Sequence, residues 1–313
     1  MFFENDVRYT PKEADMPGTL YIVATPIGNL SDMTPRAVEV LSQVDMIAAE
    51  DTRHSRGLLS HFEIRTPSFS CHKFNEEKRG DFFVSALLEG KSVALISDAG
   101  TPSISDPGHR LVSMAAANGI DVVAVCGANA IAAALSVSGF NASRFVFLGF
   151  LPRTAKEQAE VWDMLTGMGG QGHADFCPPA VFYESPLRIH KTLGWLADTH
   201  QAADICLCND LTKKFERIYR GTPHEVVAEL SQNPDAKKGE YTCVVLLPVA
   251  DKPEDTAQEL SLEAQLVDII VKSNCSLKDA AGLLHESQKH RRTPGDKKAI
   301  YAATLRLKKL LQQ

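Results

Sequence analysis

Several absences narrow the reading of this 313-residue chain: it has two tryptophans, no C-x-x-C pair, and no apolar run approaching the length of a membrane span. A spanning helix needs about 20 consecutive apolar residues, so a hydrophobic membrane passage is not expected. The first eighteen residues hold Glu4, Asp6, Lys12, Glu13 and Asp15 without an apolar core, which is unlike a signal peptide or anchor. Seven cysteines, an odd number, give no disulfide framework, and Cys71, Cys126, Cys206, Cys208 and Cys243 fall in apolar stretches read as strands. Reduced structural thiols in a cytoplasmic protein are the expectation. His54, His61 and His72 stand apart without metal-ligand spacing, so no metal site is expected.

Phosphate-binding signatures are also missing. Gly90-Lys91-Ser92 resembles the end of a P-loop, but Ser85 stands where the first glycine belongs, and the run leads from helix into strand. Gly90 reads as a helix C-terminal residue instead. No G-x-G-x-x-G follows a strand, so neither a nucleoside triphosphate nor a dinucleotide is indicated. The net charge of −6 argues against a surface that coats nucleic acid uniformly, while leaving room for a local basic patch.

What is present is an ordinary globular composition, 44% hydrophobic and 23% charged, long enough for two domains and a small third. After a leader over 1–17, the apolar run Thr19 to Thr25 predicts a strand, and Thr34-Pro35 opens a helix as N-cap and first turn. Asp32 reads as a cap as well. Strands at 46–49, 69–71, 93–97 and 122–125 each precede a helical pattern, which predicts a parallel sheet with its loops on one edge. The texture changes near Phe145: the glycines at 167, 169, 170 and 172 read as loose and turn-rich, and strands are expected at 181–184, 205–208 and 241–247. These are the marks of an α/β fold. Its expected domains are 18–127 and 128–250, the second with a mixed sheet, then a polar linker over 251–260 and a helical appendix over 261–313. In that appendix Ser276-Leu-Lys-Asp279 reads as a capping box. From Gln288 onward, Lys289, Arg291, Arg292, Lys297, Lys298, Arg306, Lys308 and Lys309 face one acid, Asp296.

The chemistry is expected in the loops after the strands, 26–32, 50–54, 97–108 and 126–130, which are rich in glycine, proline, hydroxyls and carboxylates. In open α/β sheets ligands bind at that edge. These residues suit a neutral or cationic ligand with ribose hydroxyls and a flat base, such as an adenosyl group without phosphate. The loop Ser97 to Gly108 is the most conspicuous. Asp106 before Pro107 reads as an N-cap, whereas Asp98, taken as buried in the last position of its strand, reads as functional.

Gly18-Thr-Leu-Tyr-Ile-Val-Ala-Thr-Pro-Ile-Gly-Asn-Leu30, Ala49-Glu-Asp-Thr-Arg-His54, Ser97-Asp-Ala-Gly-Thr-Pro102 and Asp106-Pro-Gly108 resemble motifs of the bacterial small-subunit ribosomal RNA methyltransferase I family. That family is similar in fold to the tetrapyrrole methylases. The resemblance continues through Gly149-Phe-Leu-Pro152, Phe182-Tyr-Glu-Ser185, Leu211-Thr-Lys213 with Glu216, and Lys238-Gly-Glu240, about residues 18 to 248, and extends to the helical appendix. It implies S-adenosylmethionine bound between two α/β domains, methyl transfer to the ribose 2′-hydroxyl of a cytidine in small-subunit rRNA, and a homodimer. Cofactor contacts carried over by position are Pro26, Gly28, Asp98, Gly100, Thr101 and Ile104, then Asn129, Ala130, Tyr183, Asn209, Gly239 and Glu240. The chain departs from the family pattern at Cys126-Gly127-Ala128, where a Pro-Gly-Pro turn is usual, at Asn209-Asp210, where Arg-Glu is usual, and at Phe74, where histidine is usual.

For such a transfer Asp51 is expected as base or orienting carboxylate, and Lys213 as the cation that stabilises the developing alkoxide. A salt bridge to Glu216 is the alternative for Lys213, and a partnership with Arg53 the alternative for Asp51. Arg53 and the basic tail Lys289, Arg291, Arg292, Lys297 and Lys298 are expected RNA contacts, with rRNA or the small ribosomal subunit as partner. Two other readings share these features: a methyltransferase of the same fold acting on a tetrapyrrole or a protein side chain, and a non-catalytic RNA-binding assembly factor.

Overall fold

A computed structural model of the chain describes residues 17–170, 177–248, 261–288 and 297–310. The expected leader, apart from Pro17, and the linker 251–260 lie outside the described residues, as does Gly172. Contacts divide the chain into two compact units, 1–249 and 250–313.

Among its described residues the first unit holds two five-stranded sheets. In the first, β1 (Thr19–Val23), β2 (Met46–Ala49), β3 (Ser68–Ser70), β4 (Val93–Ile96) and β5 (Asp121–Val125) run in the order β3-β2-β4-β1-β5, all parallel. Both faces are covered. Leu20, Ala48 and Leu95 pack on one side with Phe83 and Leu87 of α3 (Glu76–Leu88) and Leu111 of α4 (His109–Ala117). Val23, Ile47 and Ile96 pack on the other with Ala37 and Leu41 of α1 (Pro35–Gln43) and Leu59 of α2 (Thr52–His61). This explains why β2 and β4 are unbroken apolar runs: every residue in them is buried.

The second sheet takes β6 (Val146–Phe150), β7 (Ala180–Glu184), β8 (Asp204–Asn209), β9 (Arg217–Gly221) and β10 (Tyr241–Leu246) in the order β6-β7-β10-β8-β9, mixed in direction. One face packs Phe182, Leu207 and Val245 against α6 (Ala155–Gly170), α7 (Ile189–Thr199) and α8 (Pro223–Ser231), with Trp162, Leu193 and Val226 in the core. The other face carries α5 (Ala130–Ser138), whose Ile131, Ala134 and Leu135 meet Val181, Cys206 and Val244. Thus α5 follows β5 in the chain but belongs to the second sheet. Ile27, from the loop after β1, packs into that same cluster and ties the two sheets together.

Several expectations are corrected here. Residues 167, 169 and 170 lie in α6, so the glycines there end a helix whose buried Trp162 and Leu165 anchor it. Between the strands expected at 205–208 and 241–247 the chain adds an unexpected edge strand, β9, after a tight turn at 211–216. The capping-box helix α8 follows it, with Thr222 and Glu225 bonding reciprocally. Asp32 caps nothing: it sits inside a short 3₁₀ turn over Leu30–Asp32 that Asn29 caps, whereas Thr34 does cap α1. Cys126 is exposed just past β5. Nor does Asp106 cap a helix. The helix α4 begins at His109, and its first amides, Gly108 and Arg110, are each taken at 3.0 Å by Glu76 Oε1 from α3.

Among the described residues the second unit is three helices, α9 (Leu262–Ser273), α10 (Leu277–Gln288) and α11 (Lys297–Leu310), around Leu266, Ala280, Leu284, Ile300 and Ala303. The Ser276 hydroxyl accepts the Asp279 amide and donates to the Asp279 carboxylate at the start of α10.

Candidate active site

The loops after β1, β2, β4 and β5 meet at the carboxyl edge of the first sheet and are laced together by hydrogen bonds. Thr25 and Gly100 exchange backbone bonds of 2.9 and 3.0 Å, with Gly100 in the left-handed region at φ +78°. The Asp51 amide donates to Asp98 Oδ1 at 3.2 Å, and the Asp98 amide to Glu50 Oε2 at 3.3 Å. Asn129 caps α5 by accepting the Ile131 and Ala132 amides, and its side-chain amide donates to Thr101. Asp98 is not buried in a strand as expected. Strand β4 ends two residues earlier, and Asp98 is exposed.

Against this edge the second sheet presents Tyr183 of β7, the turn before β10, and the loop 210–216. Two adjoining chambers lie between them. The first, about 330 Å³, is lined on one side by Gly100, Thr101, Ile104, Ser105, Asp106, Asn129 and Ala130. Its other side is formed by Phe150, Tyr183, Glu184, Ser185, Pro186, Gly239, Glu240, Tyr241 and Thr242. Its size is at the lower end of the range of about 300–1,000 Å³ for small-ligand sites. The second, about 360 Å³, is lined by Pro26, Gly28, Leu30, His54, Ser55, Leu58, Ser97, Asp98 and Lys213. Ile27, Ala99 and Glu240 border both.

Eight of the twelve expected cofactor contacts therefore line the first chamber, and three, Pro26, Gly28 and Asp98, line the second. Asn209 lines neither: it is 4% exposed, and its amide donates to the Glu240 carbonyl. Sequence reasoning missed Asp106, Phe150, Ser185, Pro186, Tyr241 and Thr242. The Asp-Pro pair had invited a capping role for Asp106, and Phe150, 57% exposed at the end of β6, lies in an apolar run with no polar signal to mark it.

The first chamber has no lysine, arginine or histidine in its lining. Burial, helped by Glu50 and Asp98 and opposed by a hydrogen bond from Ser97, pushes the Asp106 carboxyl up to about 6. Burial likewise raises Tyr183 to about 12, with the Asp106 charge adding to it, and raises Glu50. These acids crowd a partly desolvated edge, an arrangement that favours a positively charged occupant.

In the second chamber Lys213 Nζ stands 2.8 Å from Asp210 Oδ1 and 3.0 Å from Glu240 Oε2. Burial works against its charge, but the two carboxylates outweigh burial and raise its pKa. Glu216 is not its partner; that carboxylate takes the Thr212 amide instead. The loop is tightly wound, with Asp210 and Thr212 at φ +53° and +64°, and Gly239 at φ +81° where any β-carbon would strike the Asp210 carboxylate.

Asp51 caps α2 and accepts from Arg53 through both oxygens at 3.1 and 2.8 Å. The Arg53 guanidinium holds the Asp51 carboxyl well below the usual range. Arg53 itself is exposed. Behind the site, Glu184 is fully buried, accepts from the Ser185 amide and Thr192 hydroxyl at 2.8 Å, and pairs with Arg188 at 3.2 Å. Arg188 in turn donates to the Leu151 and Pro152 carbonyls, which links the 149–152 and 182–185 motifs physically. Among the basic tail residues, Lys297 and Lys298 begin α11, with Lys297 exposed, while Lys289, Arg291 and Arg292 lie outside the described residues. Among the described residues no cluster of histidine, cysteine or acid could hold a metal, and no helix is long and apolar enough to cross a membrane.

The family model of the tetrapyrrole (corrin/porphyrin) methylases matches residues 19–227. The ribosomal RNA small subunit methyltransferase I of Haemophilus influenzae is 42% identical over 274 residues, covering 87% of this chain and 93% of that protein. That of Xylella fastidiosa is 45% identical over 230 residues, covering 73% and 81%. Among solved structures, a diphthine synthase superposes with a TM-score of 0.57 at 12% identity, covering 73% of this chain and 90% of that one. A cobalt precorrin-4 methyltransferase does so with 0.54 at 16%, covering 76% and 98%. At those identities the structures show a shared fold. The chain belongs to the tetrapyrrole methylases and, within them, to the ribosomal RNA small subunit methyltransferase I family.

Proposed function

We propose that this protein transfers the methyl group of S-adenosylmethionine to the ribose 2′-hydroxyl of a cytidine in small-subunit (16S) rRNA. The observation that carries this reading is the pair of adjoining chambers, one with only acidic and phenolic ionisable groups and one holding the Lys213 ammonium. The first fits the donor by its chemistry. Its acids suit a sulfonium and an α-ammonium, and its lack of cations suits a ligand without phosphate. Gly100, Thr101, Ile104, Asn129, Ala130, Tyr183, Gly239 and Glu240 would hold the donor, joined by Asp106 and Phe150. When bound, S-adenosylmethionine supplies an electrophilic methyl group, which leaves the protein to align the acceptor and manage its proton.

Alignment alone supplies up to about 7–11 kcal/mol in well-oriented reactions. Lys213, pinned by two carboxylates, is a fixed positive charge for the oxygen as it loses its proton. Asp51, paired with Arg53, serves to orient α2 and Arg53 rather than to accept a proton. Pro26, Gly28 and Asp98 belong with the acceptor's chamber. Asn209 acts behind the wall through the Glu240 backbone. Arg53, Lys289, Arg291, Arg292, Lys297 and Lys298 would neutralise RNA phosphates. The family resemblance supports a cytoplasmic homodimer whose substrate is the rRNA or the small subunit.

The test is methyl transfer from a radiolabelled donor to small subunits prepared from cells lacking this enzyme. One cytidine should acquire label and its 3′ phosphodiester should become resistant to alkali, because the 2′-oxygen that attacks it is blocked. Label on a base, on protein, or nowhere would refute the reading.

A further inference from the structure

Resting on that reading, the geometry points to His54 as the catalytic base of the second chamber, the group that takes the proton of the acceptor hydroxyl. Four ionisable side chains line this chamber: His54, Asp98, Lys213 and Glu240. Three are already committed. Lys213 and Glu240 neutralise each other at 3.0 Å. Asp98 is spent on the backbone, accepting the Asp51 amide. Asp51 is outside the lining, and with Arg53 on both oxygens it is a weak base. His54 stands in the first turn of α2 with an exposed side chain, and no hydrogen bond to its ring occurs among the described residues.

The charges around the ring come from every side of the chamber. Glu50 precedes it in the loop just past β2, Asp51 and Arg53 share its turn, Asp98 comes from the loop after β4, and Lys213 and Glu240 come from the second sheet. The acids compensate an imidazolium once it forms. Imidazole is the side chain whose ordinary titration falls between about pH 5 and 8, which suits a base at neutral pH. In the step, the hydroxyl oxygen bonds to the donor's methyl carbon as the carbon–sulfur bond breaks, its electron pair staying on sulfur. The hydroxyl proton passes to the ring and from there to water.

The test uses full-length His54→Gln and His54→Ala with S-adenosylmethionine and unmodified small subunits. At saturating substrates kcat should fall about 10²–10⁴-fold, the usual contribution of a positioned base, while donor KM stays nearly constant. The acid-side rise of kcat with pH should vanish, and added imidazole should restore part of the rate of His54→Ala. A kcat within about threefold of wild type would overturn the assignment, as would a large loss with the acid limb intact, which is the mark of a positioning residue. Should a variant melt early, imidazole rescue decides. Failure of the wild-type chain to methylate subunits would refute the function reading instead.

Discussion

The stem of Lys213 fills the space that a β-carbon on Gly28 would need, so a loop of the first sheet makes room for a cation carried by the second. The lysine cannot simply move aside, because its ammonium is held by Asp210 and Glu240. Gly28→Ala is expected to displace Lys213 and lower kcat at least about tenfold, the equivalent of one charge-assisted hydrogen bond of about 1.4 kcal/mol. Donor affinity, set in the other chamber, should change little. Steady-state kinetics with isothermal titration of the donor checks both parts.

Asp51→Asn separates orientation from proton transfer. Asparagine is as good a helix cap as aspartate but carries no charge for Arg53. Turnover should fall through a higher KM for small subunits as Arg53 loses its anchor. The acid limb of the pH profile should remain, because the Asp51 carboxyl, held low by Arg53, is ionised throughout that range. Loss of the limb would return Asp51 to the role of base.

Asp106 links stability to pH with a definite sign. Its carboxyl titrates near 3.8 in an unperturbed chain and about 6 in the fold. Between those values the folded protein binds more protons, so its contribution to stability is full below 3.8 and is lost as pH rises through 6. Asp106→Asn should therefore melt higher than wild type at pH 7.5, with the gap closing toward pH 4. The same variant should bind S-adenosylmethionine more weakly at pH 7.5, and its affinity should lose the rise with pH that wild type shows near 6. Thermal melts and donor titrations at three pH values test both.

Glu184, fully buried, and Arg188, partly exposed, form a strap behind the site. Arg188→Met leaves a fully buried carboxylate without its cation and should cost about 3–5 kcal/mol in urea unfolding. Pairing it with Glu184→Gln should recover a large part of that loss, since the uncompensated charge is then gone.

The basic tail is tested by salt. Changing Lys289, Arg291, Arg292 and Lys297 to glutamine in the full chain should weaken RNA binding. Each phosphate ion pair removed should flatten the log–log salt slope by roughly 0.7–0.9. An unchanged slope would take the tail out of the RNA interface.

Much of this was readable in one dimension. Strands buried on both faces, such as β2 and β4, announce themselves as apolar runs, and Thr34-Pro35 and Ser276 to Asp279 carry their caps within four residues. What escaped depends on partners far along the chain. The α4 cap comes from Glu76, some thirty residues before the Asp-Pro pair that imitated one. Edge strand β9 alternates weakly in exposure and resembles a loop. Phe150 and Thr242 join the wall only because two sheets face each other, which no local pattern encodes.

The strip of Ile27, Ala99 and Glu240 between the chambers also bears on how such proteins diversify. Where the source of the methyl group and its destination occupy separate rooms with a common wall, lineages can remodel one room and inherit the other intact. Substitutions at 30, 55 or 58 would then alter what is modified, while those at 54, 101, 106, 183 or 213 would alter whether anything is modified at all.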